Sequence, residues 1–294
     1  MGVQITNMYS AFGEATDKIV NGKKSVFQLA DCCLQKVIAE DVSYSHLLAA
    51  TSCPDAIAPS LGQCLNQAYN NVFHSAHTID IVQGCAGGVS AMILASQLAE
   101  ANRSNVVVIT SDAAQKATST ASEVYHVFKN GVFGCCLSYS NSNKRLIHHQ
   151  SRQYKDLYEV VTIGLGHDSD AIISDNIEDM SSDPRKHLGL KLNNMLALKL
   201  MRNAEDFYID FTKTTGHPDI LILHQVNEVL IKHLENVFSK YPVRFINMAA
   251  ETGNCGCATT GIVLNSIIDK IENKKVMLCS FGTGGVITAG LWQC

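Results

Sequence analysis

The chain has 294 residues, of which 46% are hydrophobic and 17% charged, so it can bury one large core or two smaller ones. Its formal net charge of −4 gives no electrostatic reason to expect nucleic acid as a partner. No apolar run reaches the ~18 residues of a transmembrane helix, and the N-terminal stretch lacks the features of a signal peptide. We therefore expect a cytoplasmic protein without membrane contact.

Apolar runs that resemble strands alternate with amphipathic stretches along the whole chain, which is typical of the α/β class. Ser60 follows Pro59 and is the expected N-cap of a helix. In the first part, the predicted strands are 46–52, 79–83, 105–112 and 132–140, and the predicted helices are 25–40, 60–69 and a stretch from Cys85 to Glu100.

The second part of the chain repeats this order of elements. The predicted helices are 187–211, 227–238 and a stretch after Asn254, and the predicted strands are 218–225, 243–249, 274–285 and 286–293. Three strands and the two helices between them thus occur twice, which indicates an internal duplication. Residues 141–186 are largely polar and are predicted to connect the halves, with a surface loop over 174–186. We therefore divide the chain into residues 1–145 and 146–294.

Eleven cysteines suggest disulfides or a zinc site, but their number is odd and Cys255-x-Cys257 has no matching second pair. Most are expected to be small buried hydrophobic residues, and no metal is predicted. Cys85 differs because it lies between a predicted strand and a predicted helix, beside glycine and alanine only. The N–H groups of a helix start would lower the pKa of its thiol, and small neighbours would admit another group to the sulfur. A buried cysteine in a tight turn is the alternative.

Two turns of the second part carry further polar side chains. His224 ends a buried strand, and in open α/β sheets ligands bind at the carboxyl ends of strands. Asn254 lies next to Gly253 at the position that the duplication aligns with the Cys85 turn, so the two turns should face each other. The segment 280–285 ends a strand in glycines, whose N–H groups can stabilise an oxyanion. Each residue also has a simpler interpretation: His224 could be a structural histidine, and Asn254 could serve only to form a turn beside glycine.

Taken together, these motifs resemble the thiolase superfamily, most closely the β-ketoacyl-acyl-carrier-protein synthase III group. The resemblance rests on DIVQGCAGG around Cys85, the TSD strand at 110–112, HQVN from His224, TGNCGCAT around Asn254 and the terminal FGTGG. It implies an α/β fold of two pseudo-symmetric thiolase-like halves, stacked as five αβαβα layers. It also implies a dimer, paired through the segment 105–112 or the segment before Cys85.

The resemblance implies that Cys85 takes an acyl group from acyl-CoA or from an acyl-carrier protein. His224 and Asn254 would bind the thioester carbonyl of a malonyl-type donor and stabilise the enolate formed when CO₂ leaves. The enolate would attack the acyl-Cys85 thioester and give a β-ketoacyl product, with no metal or other cofactor. The N–H groups of Cys85 and of the turn at Thr283 would form the oxyanion hole. The other substrate-contacting residues that the resemblance implies are Phe281, Gly282 and Asn193.

Two departures from the family pattern leave alternatives open. The chain begins later than the pattern and lacks an early Trp- and Arg-bearing segment that helps hold CoA, and Glu228 and Val229 stand where a basic residue is common. We therefore favour fatty-acid-like or specialised-metabolite biosynthesis. One alternative is a non-condensing acyltransferase to a hydroxyl or amine, although an aspartate would suit that role better than Asn254. The other is a helper subunit of a heterodimer with a related synthase, in place of a homodimer.

Overall fold

The computed structural model describes residues 2–19, 25–117, 125–158, 161–165, 188–192 and 196–294. The elements of the first half are β1 (Gly2–Phe12), α1 (Glu14–Ile19), α2 (Val26–Val37), β2 (Tyr44–Ala50), α3 (Leu61–Ala68), α4 (Asn70–Phe73), β3 (His77–Ile81), α5 (Gly87–Asn102), β4 (Asn105–Ala113) and β5 (Asn130–Ser140). The elements of the second half are β6 (Arg145–Gln153), β7 (Val161–Leu165), β8 (Leu188–Leu192), α6 (Leu196–Thr215), β9 (Ile220–Leu223), α7 (Glu228–Phe238), β10 (Arg244–Ile246), α8 (Ala249–Thr252), α9 (Thr259–Ser266), β11 (Lys275–Gly282) and β12 (Val286–Gln293).

Each half contains one five-stranded mixed sheet, and the two sheets have the same topology. Their strand orders are β1-β5-β4-β2-β3 and β6-β12-β11-β9-β10. The first three strands of each order pair antiparallel, and the last three pair parallel. The helices repeat as well, since α2, α3 and α5 precede and connect the strands of the first half as α6, α7 and α9 do in the second. The two-halved α/β fold is therefore confirmed, while the boundary between residues 145 and 146 stays a prediction.

Three hydrophobic clusters separate five layers of structure. The central cluster joins both sheets through α5 and α9, and Val108 and Leu278 are buried members from the two sheets. α5 is hydrophobic on nearly all sides, as a helix enclosed between two sheets must be, with Ala91, Ala95 and Ala99 fully buried. The outer clusters bury α2 and α3 against the first sheet and α6 and α7 against the second. This is the predicted αβαβα arrangement.

Serine caps fix the starts of the two outer helices of the first half. Ser25 accepts a hydrogen bond from the Gln28 N–H, and the Gln28 side chain accepts one from the Ser25 N–H. Ser60 and Gln63 form the same reciprocal pair, which confirms Ser60 as an N-cap. Such capping boxes satisfy N–H groups that a helix start leaves unpaired. No helix in the described part of the chain has the length and apolar character that crossing a bilayer requires.

Three sequence predictions need correction. The stretch 187–211 is not helical throughout, because β8 pairs antiparallel with β7 before α6 begins. The polar segment 141–186 is more than a connector, because it contains β6 and β7; its predicted loop at 174–186 lies outside the described residues. The segment 105–112 lies in β4, which is hydrogen-bonded to β2 on one side and β5 on the other. It has no free edge for a second chain, whereas β3 lies at the edge of the sheet.

Candidate active site

Cys85 lies in a single 3₁₀ turn, Gly84–Ala86, between β3 and α5. The turn begins with Gly84 at a φ of +53°, a conformation that residues with a side chain rarely adopt. A methyl group at Gly84 would collide with the Thr283 side chain and lie 2.8 Å from the Thr283 nitrogen. The Ser280 hydroxyl donates a 2.8 Å hydrogen bond to the Cys85 carbonyl oxygen. The end of β11 therefore braces the cysteine turn from the other half of the molecule.

The segment 280–285 has two faces, because successive residues of a strand alternate. Ser280 and Gly282 face the cysteine turn, where a methyl group at Gly282 would lie 2.6 Å from the Gln83 carbonyl oxygen. Phe281 is buried in the outer cluster with α6 and α7, so its side chain lies away from Cys85. The expected substrate contact of the Phe281 side chain is thus not supported. Among the described residues, none accepts a hydrogen bond from the Thr283 N–H.

The protonation state of Cys85 differs from the sequence prediction. The residue is partly exposed, yet burial around the sulfur and, as a smaller cause, the negative charge of Asp112 together raise the pKa of the thiol to about 12. These two effects are larger than the lowering of the pKa that was expected from the helix start. With this pKa, the thiol of Cys85 is neutral at pH 7.

His224 and Asn254 are neighbours in the structure. His224 follows the last residue of β9, is only 2% exposed, and interacts with the Asn254 side chain. Burial lowers the pKa of His224 to about 4, although the hydrogen bond with Asn254 opposes this change. The imidazole is therefore neutral at pH 7. Its Nδ1 atom is buried without a hydrogen-bond partner in the described part of the chain.

Asn254 is held from both halves of the molecule. Its Oδ1 atom accepts a 3.0 Å hydrogen bond from the Gly256 N–H, which leaves the side-chain amide to point elsewhere as a donor. Its backbone N–H donates to Val127 and its carbonyl accepts from Lys129, both at 2.9 Å and both in the first half. The Asn254 amide therefore has a position that is fixed independently of any ligand.

The pseudo-symmetric partner of Cys85 is Cys257, which corrects the alignment with Asn254. The second half contains its own 3₁₀ turn, Gly256–Ala258, immediately before α9. Gly256 has a φ of +58°, close to the +53° of Gly84. The sequence Gly-Cys-Ala and the left-handed glycine thus define equivalent turns, and Asn254 lies three residues before Cys257.

The remaining predicted residues are accounted for as follows. Asn193 lies outside the described residues. All eleven cysteines are free, and the described residues contain no group of three His, Cys, Asp or Glu side chains that could hold a metal ion.

Sequence reasoning missed two buried polar residues near the site. The Gln225 amide donates to the Leu223 carbonyl at 2.6 Å, and its oxygen accepts from the Met248 N–H at 2.8 Å, so it ties the His224 strand end to the segment that leads to Asn254. Asp112, quoted above only as part of a motif, is fully buried and accepts hydrogen bonds from four residues. In the sequence, each lies shortly after the apolar run of its strand, VVVI before Asp112 and ILIL before Gln225, and this position was the available signal.

Comparisons with known proteins agree with this arrangement. Residues 212–294 match the model of the 3-oxoacyl-[acyl-carrier-protein (ACP)] synthase III C-terminal family. The search of curated proteins by sequence gives no match. Among solved structures, the chain is similar to beta-ketoacyl-[acyl carrier protein] synthase III (FabH) from Thermus thermophilus, at 16% identity and a TM-score of 0.78 over 100% of this chain and 99% of that chain.

Two further solved structures give the same result. A variant of OleA from Xanthomonas campestris has 12% identity and a TM-score of 0.77, and 3-oxoacyl-(acyl carrier protein) synthase III from Xanthomonas oryzae has 12% identity and a TM-score of 0.75. Both alignments cover 100% of this chain and 99% of the other. The resemblance to the synthase III group is thereby confirmed in the fold and in the C-terminal family match. The expected N-terminal shortening stays a prediction.

Proposed function

We propose that this chain is an acyl-thioester condensing enzyme of the synthase III type. One observation carries the proposal: a neutral, buried His224 lies beside the fixed amide of Asn254, in a half whose β11 end braces the Cys85 turn. A thiol nucleophile and two neutral hydrogen-bond donors are the groups that acyl transfer followed by enolate formation requires.

In the loading step, the Cys85 sulfur attacks the carbonyl carbon of an incoming acyl thioester. The oxygen becomes an oxyanion, for which the N–H groups of Thr283 and Cys85 are the proposed donors; among the described residues, the Thr283 N–H has no other acceptor. Collapse breaks the original C–S bond, and the departing thiolate takes the proton that Cys85 gave up. The product is an acyl-Cys85 thioester, so one thioester replaces another and the neutral resting thiol is compatible with the reaction.

In the condensing step, a malonyl-type thioester loses CO₂, and the electrons of its C–C bond move into an enolate. His224 and Asn254 are the proposed donors to the enolate oxygen. Neutral donors suit this role because they stabilise a developing charge without the desolvation cost of burying a cation. The enolate carbon then attacks the acyl-Cys85 carbonyl and breaks its C–S bond, which gives a β-ketoacyl thioester and a Cys85 thiolate. The thiolate takes a proton from water and returns to the neutral thiol.

A non-condensing acyltransferase would need a general base to deprotonate a hydroxyl or amine. A base works best when its pKa lies near the working pH, and the pKa of His224 lies at about 4. The Asn254 amide does not act as a base at neutral pH either. The site therefore favours condensation over transfer to a hydroxyl or amine.

The proposed substrates are acyl-CoA or acyl-carrier-protein thioesters, and no further cofactor enters this scheme. We also propose that a second chain, either a copy or a related synthase, pairs with the free edge of β3. Sedimentation would distinguish the two cases: a homodimer has twice the 31.9 kDa chain mass, while a helper subunit stays monomeric until its partner is added.

Intact-protein mass spectrometry tests the proposed function. The wild type and Cys85→Ala are exposed to a panel of acyl-CoAs and acyl-carrier proteins, and the wild type should gain the mass of one acyl group that Cys85→Ala does not gain. A malonyl donor should then remove the adduct and yield a β-ketoacyl product. An adduct that clears only with an alcohol or amine would favour the acyltransferase. A folded wild type that gains no adduct from any donor, with or without a related synthase, contradicts the proposal.

A further inference from the structure

Asp112, the acidic residue near the end of β4, accepts five hydrogen bonds close to the Cys85 turn. Its Oδ1 atom accepts from the Thr51 hydroxyl at 2.8 Å, the Ser52 N–H at 2.7 Å and the Cys53 thiol at 3.3 Å. Its Oδ2 atom accepts from the Ser52 hydroxyl at 2.9 Å and the Cys257 N–H at 2.6 Å. The side chain is fully buried. A carboxylate is acceptor-only, so both of its oxygens can accept hydrogen bonds from several donors at once.

One of these hydrogen bonds crosses between the two halves. The Cys257 N–H belongs to the second Gly-Cys-Ala turn, and Gly256 is so close that a methyl group there would collide with the Asp112 carboxylate. The second turn also packs against α5 of the first half, because a methyl group at Gly88 would collide with the Cys257 carbonyl. Asp112 therefore joins the strand end of the first half to the turn from which Asn254 is held.

We propose that Asp112 is a positioning residue that fixes the second Gly-Cys-Ala turn against the first, so that Asn254 and Cys85 meet the same acyl group. A second part concerns its charge, which is bonded to the turn that packs against Gly88 at the start of α5 and therefore lies close to the Cys85 turn. The positioning part of this inference rests on the function proposed above, whereas the charge part does not. None of the Asp112 hydrogen bonds reaches Cys85 itself, so Asp112 acts on the thiol through space and on Asn254 through the backbone. It is not a catalytic residue.

The two parts of the proposal have different consequences. Removal of the charge makes the Cys85 thiolate easier to form, since a like charge nearby no longer opposes it. Loss of the Cys257 hydrogen bond loosens the turn that holds Asn254, which slows condensation but not the capture of an acyl group. A residue that only supported the fold would lower both activities together and would leave the pH profile of Cys85 unchanged.

The first test is the pH profile of iodoacetamide alkylation of the Cys85 peptide, followed by mass spectrometry in the full chain. Asp112→Asn should move the profile to lower pH and speed alkylation at pH 8 at least about threefold. Asp80→Asn is the matched control. Asp80 lies on β3 of the same sheet and likewise accepts a hydrogen bond from an N–H at a helix start, that of Gly62 at 2.8 Å. Its profile should equal that of the wild type. An unshifted profile in a folded Asp112→Asn, or the same shift in Asp80→Asn, overturns the charge role.

The second test separates position from charge and stands in if Asp112→Asn does not fold. Gly256→Ala keeps the Asp112 charge but pushes its methyl group into the carboxylate. In a folded variant, alkylation of Cys85 and acyl loading should match the wild type, while clearance of the acyl group by a malonyl donor should fall at least about tenfold. A folded Gly256→Ala that condenses at the wild-type rate overturns the positioning role. A shifted alkylation profile in Asp112→Asn supports the charge role even if no donor loads the wild type, a result that counts against the proposed function alone.

Discussion

The buried imidazole of His224 should make the stability of the protein depend on pH in a predictable window. Burial lowers its pKa from 6.5 to about 4, whereas in the unfolded chain the ring has its ordinary pKa. Between these values the unfolded state binds a proton that the folded state does not. The free energy of unfolding therefore falls as the pH is lowered through this window, and the contribution of His224 is fully present above pH 6.5.

The size of this effect follows from the pKa difference. A lowering from 6.5 to about 4 is about 2.5 units, and at about 1.4 kcal/mol per unit it corresponds to about 3 kcal/mol. Most of this, about 2.5 kcal/mol, should be lost between pH 7.5 and pH 4.5. His224 is 2% exposed, so solvent screening does not reduce the figure much.

The assay is urea denaturation of the wild type and His224→Gln at several pH values from 7.5 to 4.5. Glutamine does not titrate, so the difference between the two unfolding free energies should change across this range by about 2.5 kcal/mol, with the variant less sensitive to acid. Replacement of the exposed His74 by glutamine is the control and should leave the wild-type dependence unchanged. If wild type and His224→Gln lose stability in parallel as the pH falls, the imidazole is not buried and neutral, and the argument for a neutral donor fails.

Three further substitutions test the packing of the site. Gly84→Ala forces a side chain into a left-handed turn and against Thr283. Thermal denaturation should therefore show that the free energy of unfolding falls by at least about 2 kcal/mol, and acyl loading should be abolished. Ser280→Ala removes the hydrogen bond to Cys85, so the free energy of unfolding measured with urea should fall by about 1 kcal/mol and acyl loading should be slower. An unchanged loading rate would contradict the bracing role of β11. Trp292→Phe removes the 3.0 Å hydrogen bond that the buried indole donates to the Ser96 hydroxyl, so the free energy of unfolding should fall by about 1 kcal/mol. Acyl loading should not change, since Trp292 lies away from the site.

The periodicity of the sequence was sufficient to predict most of the fold. Strands such as β4 and β11 are short apolar runs between turn signals, and Ser60 before a helical pattern correctly marked a helix start. β1 and β6 were missed because they lie at sheet edges, where the alternation of polar and apolar residues is weak; β6 alternates only between partly buried and exposed positions. Edge strands bury little, so their sequences are little constrained.

The site was predicted less completely, because its properties depend on contacts between distant residues. Local reasoning placed Cys85 at a helix start and expected a lowered pKa, but burial around the sulfur and then the charge of Asp112 reverse the direction. The partner of the cysteine turn was misassigned for a related reason. Asn254 is conspicuous beside glycine, yet the equivalent turn is the second Gly-Cys-Ala sequence, which begins two residues later at the left-handed Gly256.

In the proposed function, the repeated topology assigns one chemical task to each half of the molecule. Each half presents a Gly-Cys-Ala turn at the start of a central helix, but only Cys85 is partly exposed, whereas Cys257 is buried and its thiol donates to the Ala50 carbonyl at 3.1 Å. The second turn therefore has a structural part, while the proposed donor Asn254 lies just upstream of it, beside His224. A nucleophile from one half and two neutral donors from the other can converge only if the halves hold a fixed register. The buried Asp112, bonded across the boundary, is the residue that links that register to the chemistry.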